Sequence, residues 1–297
     1  MQTEKIVFAR SRDFSEKLNA TFDFVRGNFK GLFMALLYIS GPFFLIGGIL
    51  VGLGQTYLRS MGGRFNGSNL ENIYAMGGYT IIGAIINWIA LIMVPLVVYE
   101  YMCIYQEKPV LEEIKPGEVW DRVKKDFFMI FFTEIGYGLI VGLSFLLLIF
   151  PGIYMAVAVS FVLAIRIFER KGFFDSVSRS MDLIKDNWWA TAGLLIVVGI
   201  IHLVLSMIIQ IPVTIVTLLS EINALKDSLG IEINKVVYVS LFSLCNMGSN
   251  FLYCLSAIAV TFQYFNLVEK KDATGLLSRI DSIGKTPELK PENEESY

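Results

Sequence analysis

The side chains best suited to proton or ion chemistry lie inside long apolar runs. Glu134 lies in the run Phe131-Phe-Thr-Glu-Ile-Gly-Tyr-Gly138, and His202 is the only histidine. An ionisable group within a membrane span is costly, so it indicates a functional site by default. Glu134 is therefore expected either as a proton or cation site or as a local cap near the lipid headgroups. His202 is expected either as a proton relay or as a hydrogen-bonded helix contact.

Three amides extend this candidate intramembrane polar site: Asn87, Asn246 and Asn250. Asn246 and Asn250 are four residues apart and share a helical face. Amides in membrane spans commonly form hydrogen bonds across helices, which favours a packing role over substrate binding.

The sequence has no signature of a catalytic or metal-binding protein. It contains no zinc-protease motif, no nucleotide-binding loop and no nucleophile elbow. Cys103, Cys245 and Cys254 lack the spacing of metal ligands or of a disulfide framework, and we expect them as buried free thiols. We therefore expect a non-enzymatic protein with no catalytic, cofactor-binding or metal-binding residues.

The composition is typical of a membrane protein. Hydrophobic residues make up 55% of the chain and charged residues 18%, against close to 25% in soluble domains. The formal net charge of -2 provides none of the basic excess that marks nucleic-acid binders, so we expect no nucleic-acid partner. The expected partners are membrane lipids, together with a membrane-protein partner or a second copy of the chain.

Six apolar runs are long enough to span a membrane, which requires about 20 residues. The fold expected is an all-α polytopic bundle. The third and fourth runs are separated by Pro151-Gly152, which predicts a tight turn there. The six predicted spans are 31–54, 76–104, 128–150, 152–168, 189–219 and 236–267.

A seven-residue motif precedes three of the apolar runs. It consists of Asp, any residue, Val or Ile, a basic residue, any residue, Asn or Asp, and an aromatic residue. We expect the first Asp to pair with the basic residue one helical turn later. The Asn or Asp should cap the following span, and the aromatic residue should lie at the membrane interface. The motif residues are Asp23, Arg26 and Asn28; Asp121, Lys124 and Asp126; and Asp182, Lys185, Asn187 and Trp188.

The motif divides the chain into three units, each an amphipathic interfacial helix followed by a hairpin of spans. The units cover residues 12–104, 116–168 and 171–267. Convergence of unrelated interfacial helices on one pattern is the alternative interpretation. Internal repetition is favoured because residues 12–30 and 171–189 agree at many positions.

The basic residues predict the orientation of the chain. All Lys and Arg residues fall on the side of the termini except Arg59, Arg64, Lys226 and Lys235. This asymmetry predicts that both termini are cytoplasmic. Residues 1–30 would then form a cytoplasmic segment with an amphipathic helix, 31–267 the membrane domain, and 268–297 a cytoplasmic tail with a disordered end.

Acidic residues follow the second helix of each unit, where a carboxylate opposes the helix dipole. Glu100 and Glu169 are examples, and Arg179 is one of several basic residues near enough in sequence to compensate. We expect a ring of ion pairs that fastens surface helices to the hairpin ends. The alternative is ordinary solvated charges, since exposed pairs contribute little.

The stretch 168–189, together with the upstream Pro151-Gly152-Ile-Tyr, resembles a bacterial family of six-span inner-membrane proteins. That family is similar to the membrane domain attached to some glycerophosphodiester phosphodiesterases. The specific resemblance covers about residues 150–200, and the tail phrase 273–284 looks like Bacteroidetes relatives. The resemblance implies a six-helix fold in the bacterial inner membrane. It implies no phosphodiesterase activity, because no phosphodiesterase domain is present in the chain.

Together these observations predict a scaffold, an accessory subunit or a lipid-interacting protein with a cytoplasmic collar of amphipathic helices. The alternative prediction is a small oligomeric transporter or lipid-handling permease that uses Glu134 and His202.

Overall fold

A computed structural model describes residues 5–60, 70–109, 112–221 and 234–273. Within these ranges the chain forms ten α-helices and no strand, which confirms the all-α fold. Six helical stretches are long and apolar enough to cross a membrane. The helices are α1 Phe14–Ile39, α2 Gly41–Ser60, α3 Leu70–Glu107, α4 Pro116–Leu147, α5 Ile149–Ala158, α6 Val162–Phe168, α7 Phe173–Ile184, α8 Trp188–Glu221, α9 Lys235–Phe251 and α10 Tyr253–Asp272.

Helix α1 begins at a capping box and continues past the predicted start of the first span. The Asp13 carboxylate accepts from the Glu16 amide, and the Glu16 carboxylate accepts from the Asp13 amide. The helix ends only where Ser40 precedes Gly41-Pro42. The predicted cap at Asn28 is therefore wrong, and the predicted span 31–54 is divided between α1 and α2. Residues 24–39 contain no proline, and the Asn28 amide donates within the helix to the Phe24 carbonyl at 3.0 Å.

The second copy of the motif also lies within a continuous helix. Asp126 falls inside α4, so its predicted capping role is wrong as well. The break comes at Leu148, three residues before the predicted Pro151 turn, and Pro151 lies in the first turn of α5. Proline is tolerated there because the first amides of a helix have no intrahelical acceptor. Gly152 is required nearby, since a Cβ atom would lie 2.4 Å from the Phe145 ring.

Only the third copy of the motif contains a helix boundary. Residues Lys185–Asn187 form one turn of 3-10 helix between α7 and α8. The sixth predicted span is divided by a break at Leu252, between α9 and α10. The sequence contains no proline or glycine at that point, and we did not predict the break.

Helix α10 lies at the centre of the bundle and α4 lies at its edge. In the most apolar 18 residues of the α9–α10 stretch, 72% are buried, compared with 11% in the most apolar 18 residues of α4. Helices α1, α3 and α8 pack against α10, and α2 packs between α3 and α9. The largest buried cluster contains Phe24, Phe161 and Phe262, which are fully buried. The tail end, 274–297, lies outside the described residues.

Candidate functional site

Charged side chains gather in two clusters near the ends of several helices, and we call the two clusters together the collar. It joins the end of α3 to the start of α4, and the end of α6 to α7 and the end of α10. Its members are Glu100, Glu107, Arg122, Asp126, Glu169, Arg170, Arg179, Asp182, Lys271 and Asp272.

One half of the collar surrounds Glu100, whose side chain is fully buried. An Arg170 nitrogen lies 3.5 Å from Glu100 Oε1, and an Arg122 nitrogen lies 4.0 Å from Oε2. Arg170 also pairs with Asp126, which lies beside Glu100. These two cations offset only part of the cost of burying Glu100, because neither carboxyl oxygen has a hydrogen-bond partner among the described residues. Burial opposes the charge of Arg170, but the hydrogen bond to Asp126 raises the pKa of Arg170.

The backbone at Arg170 is adapted to this contact. Arg170 follows the C-terminus of α6 in the left-handed region, with φ of 55°. A non-glycine residue at such an angle is strained by about 1 kcal/mol or more. Arg170, the strained residue, also pairs through its guanidinium with Glu100 of α3 and Asp126 of α4. We therefore interpret this backbone angle as a functional constraint on the collar.

The other half of the collar surrounds Glu169. Arg179 Nε lies 3.4 Å from the Glu169 carboxylate, and Lys171 Nζ lies 2.6 Å from it. The Tyr264 hydroxyl donates to the same carboxylate at 2.8 Å. Burial raises the pKa of Glu169, but the hydrogen bonds from Lys171 and Tyr264 and the charge of Arg179 outweigh it, and the pKa lies below its ordinary value. Arg179 in turn pairs with Asp272 at the end of α10.

A buried polar chain fastens α1 to the centre of the bundle. Lys17 is 4% exposed, and its Nζ donates to Gln263 Oε1 at 2.7 Å. The Gln263 amide donates to the Thr191 hydroxyl at 2.9 Å, and that hydroxyl donates to the Asn187 carbonyl at 3.0 Å. Burial is the main cause that lowers the pKa of Lys17. The chain of hydrogen bonds joins the first and third units through α10.

The motif residues take different partners in the three copies. Lys124 Nζ lies 2.6 Å from Asp121, as the helical spacing predicts. In the third copy, Asp182 pairs with Lys271 at 2.5 Å and not with Lys185, so that expectation is wrong there. Among the described residues, no ion pair joins Asp23 to Arg26.

The predicted intramembrane polar residues do not form one site. Glu134 is half-buried on α4 and lies near Tyr99 and Tyr137. His202 lies on α8 with its ring centroid 4.1 Å from that of Tyr253. Helix α4 packs mainly against α5, α3 and α1, and α8 packs against α9 and α10. No described contact joins Glu134 to His202.

The hydrogen bond across helices that is expected of intramembrane amides is found at Gln210 and, within the described part of the chain, is absent at Asn87, Asn246 and Asn250. Asn250 donates to the Asn246 carbonyl at 2.8 Å, and Asn87 donates to the Gly83 carbonyl at 3.0 Å. Each bond lies within a single helix, because the side-chain amide reaches the backbone carbonyl of the residue four positions earlier. The cross-helix bond is made instead by Gln210, which donates to the Ser249 hydroxyl at 3.2 Å.

Polar side chains follow one face of α8, and we call them, together with the residues they meet, the polar seam. His202, Ser206 and Gln210 are spaced four residues apart on α8, so they share one face. That face meets Ser249 of α9 and Tyr253 of α10. His202 Nδ1 and Ser206 Oγ are buried and have no hydrogen-bond partner among the described residues.

A groove opens between α5 and the start of α8, and we call it the α5–α8 groove. Its volume is about 1130 Å³, slightly above the 300–1,000 Å³ typical of ligand pockets. Most of its lining is apolar, while three polar residues of the 3-10 turn form one end. The lining residues are Phe150, Ile153, Tyr154, Val157, Lys185, Asp186, Asn187, Trp188, Trp189, Ala190, Ala192, Gly193, Leu195 and Ile196.

Aromatic residues shape the polar end of the groove. The Trp188 indole stacks on Tyr154 at 5.9 Å and donates to the Tyr154 carbonyl at 3.2 Å. Trp189 packs edge-to-face on Trp188 and is 83% exposed. This aromatic pair, predicted to mark the membrane interface, therefore forms a wall of the groove. The cavities near the N-terminal segment and the α5–α8 groove do not include Glu134 among their lining residues.

Several residues of the site were not predicted. For Lys17 and Arg170 the sequence predicts only a contribution to orientation, although Lys17 is buried and Arg170 has a strained backbone. Gln263 and Asn266 interrupt the apolar run of α10, and that interruption is the signal that marks them. The three cysteines are free, and Cys245 is buried. Among the described residues, no group of three His, Cys, Asp or Glu side chains is placed to hold a metal ion.

Part of the chain matches a known protein family. Residues 127–268 match the family DUF7847, which is described as a domain of unknown function. The match runs from within α4 to the last turns of α10 and contains the α5–α8 groove. Neither the curated proteins nor the solved structures gave a match. The expected similarity to the membrane domain of glycerophosphodiester phosphodiesterases therefore stays a prediction.

Proposed function

We propose that this chain is a non-enzymatic, lipid-interacting protein of the bacterial inner membrane, with both termini in the cytoplasm. The observation that carries the proposal is the α5–α8 groove. It is large, it is walled mainly by apolar side chains, and it lies in a chain with six stretches able to cross a membrane. Within a bilayer, acyl chains would cover this apolar surface without the cost of exposing it to water.

The collar supports this proposal by holding the groove in shape. Arg179 joins α7 to Glu169 at the end of α6 and to Asp272 at the end of α10. Helix α7 leads directly into the polar end of the groove. Helices joined by these ion pairs would also suit a scaffold or an accessory subunit for a membrane-protein partner.

The alternative function is a small oligomeric transporter or lipid-handling permease. The observation that favours it is the polar seam, because buried polar atoms without partners are costly within a bilayer. His202 Nδ1 and Ser206 Oγ are such atoms. The version of this proposal that pairs Glu134 with His202 has less support, since no described contact links them.

The test is purification of the full chain from its native membrane in a mild detergent, followed by identification of retained lipids and proteins. The proposal predicts retained phospholipid after extensive washing, with or without a protein partner. A protein that retains neither would overturn it. Flux of an ion or solute through reconstituted vesicles, abolished by His202→Ala, would favour the alternative.

A further inference from the structure

The polar end of the α5–α8 groove carries two opposite charges. Lys185 and Asp186 are adjacent in the 3-10 turn, both line the groove, and both are exposed. Neither side chain forms an ion pair or hydrogen bond with the described part of the chain. A single-signed ligand would satisfy only one of them. A headgroup that carries an anion and a cation would satisfy both.

The apolar part of the groove extends away from this charged end. From Trp188 to Ile196 the groove follows nine residues of α8, whose ends are separated by about 12 Å at 1.5 Å per step. Phe150 and Ile153 of α5 line the opposite side. Phe150 is 86% exposed and Ile196 is 62% exposed, so the chain leaves this surface uncovered. The length suits the first part of an acyl chain.

From this charge arrangement we propose that the α5–α8 groove binds one zwitterionic phospholipid whose headgroup ends in a primary ammonium. Its phosphate pairs with Lys185, its ammonium donates to Asp186, and one acyl chain lies between α5 and α8. The inference rests on the proposed lipid-interacting function and names the lipid class that this site selects. A charge-assisted hydrogen bond is stronger than a neutral one, which is the basis of the selectivity.

The test compares lipids that differ only in the headgroup. The full chain is reconstituted in nanodiscs that contain equal amounts of phosphatidylethanolamine, phosphatidylcholine and phosphatidylglycerol, and lipids retained after transfer to detergent are counted by mass spectrometry. The choline headgroup cannot donate a hydrogen bond to Asp186, and the glycerol headgroup has no cation. We expect phosphatidylethanolamine to be retained about fivefold to tenfold over phosphatidylcholine, and Asp186→Ala, which leaves no side-chain acceptor, to remove that preference.

A matched pair of variants locates the site. Gly193 lines the groove, and a Cβ atom there would meet only Phe14, at 4.0 Å. Gly193→Leu should therefore fill the groove and abolish retention without disrupting the helix. Gly199 lies on the same helix, does not line the groove, and has nothing within 4 Å of its Cβ position. Gly199→Leu should retain lipid as the parent chain does.

Each outcome decides between the inference and the function on which it rests. Retention of all three lipids in equal amounts, unaffected by Gly193→Leu, would overturn the specific site and leave a lipid-interacting protein. Retention of no lipid by the parent chain would overturn both. If a second copy of the chain covered the groove, lipid would be excluded. The variant Trp189→Cys would then form a dimer cross-linked through residue 189. That result would also overturn the inference.

Discussion

Arg170 is the collar residue whose removal gives the sharpest test of the electrostatic reasoning. In Arg170→Ala, the buried Glu100 keeps only Arg122, whose nearest nitrogen is 4.0 Å away. A buried polar group that loses its partner costs about 1–3 kcal/mol. Because the Arg170 side chain is 52% exposed, solvent screens part of its interaction, and we expect about 1–2 kcal/mol of lost stability.

The backbone strain at Arg170 provides an independent check. Glycine adopts the left-handed region without penalty, whereas alanine does not. Arg170→Gly loses the same charge contacts as Arg170→Ala but relieves a strain of roughly 1 kcal/mol. Glycine also increases the freedom of the unfolded chain, which costs about 0.4–1 kcal/mol, so we expect Arg170→Gly to be more stable than Arg170→Ala by less than the strain energy.

The assay is a double-mutant cycle with Glu100→Gln, using reversible denaturant unfolding of the full chain in a mild detergent. The neutral amide that Glu100→Gln introduces needs no cationic partner, so Arg170→Ala should cost less in that background, with a coupling energy of about 0.5–3 kcal/mol. Arg10→Ala is the control, because its pair with Glu16 is exposed and should contribute at most about 1 kcal/mol. Equal costs of Arg170→Ala in both backgrounds would refute the proposed role of Arg170.

Three further predictions concern the same framework. The lowered pKa of Glu169 means that its charge contributes stability above the unfolded pKa, and this is lost as the pH falls through the folded value. The unfolding midpoint of Glu169→Gln should therefore fall less than that of the parent chain as the pH is lowered from 7 to 3. An equal fall in both proteins would argue against this. Tyr264→Phe removes one hydrogen bond to Glu169 and should cost about 1 kcal/mol in the same unfolding assay, whereas a neutral effect would dismiss that bond. Gly152→Leu should cost about 1–3 kcal/mol, because its Cβ atom would meet the Phe145 ring at 2.4 Å, whereas Gly138→Leu, with nothing within 4 Å, should be close to neutral.

The apolar runs and their number could be predicted because each depends on local composition. The run before Pro151 illustrates both the strength and the limit of such reasoning. Its length predicts a span and the proline predicts a break nearby. The exact position of the break depends on where the Phe145 ring packs against Gly152, which is a tertiary contact. A sequence pattern contains no information about that contact.

The motif illustrates a different limit. Its Asn or Asp suits a helix start by local preference, but Asn28 and Asp126 lie within continuous helices. Local preference is weak, and packing along one long helix overrides it. Asp126 is instead used by Arg170, which lies 44 residues later in the chain. Long-range partners such as this one determine the collar, and a single sequence does not reveal them.

The central claim is that lipid occupies the α5–α8 groove, and photo-cross-linking tests it most directly. The full chain is reconstituted with a phosphatidylethanolamine that carries a diazirine in one acyl chain, washed in detergent, irradiated and mapped by peptide mass spectrometry. The account predicts that the label concentrates on residues 150–157 and 189–196. Helix α4 is the internal reference, because Phe128 and Leu143 are also exposed and apolar but lie outside the groove. Label spread evenly over α4 and the groove residues would contradict the account.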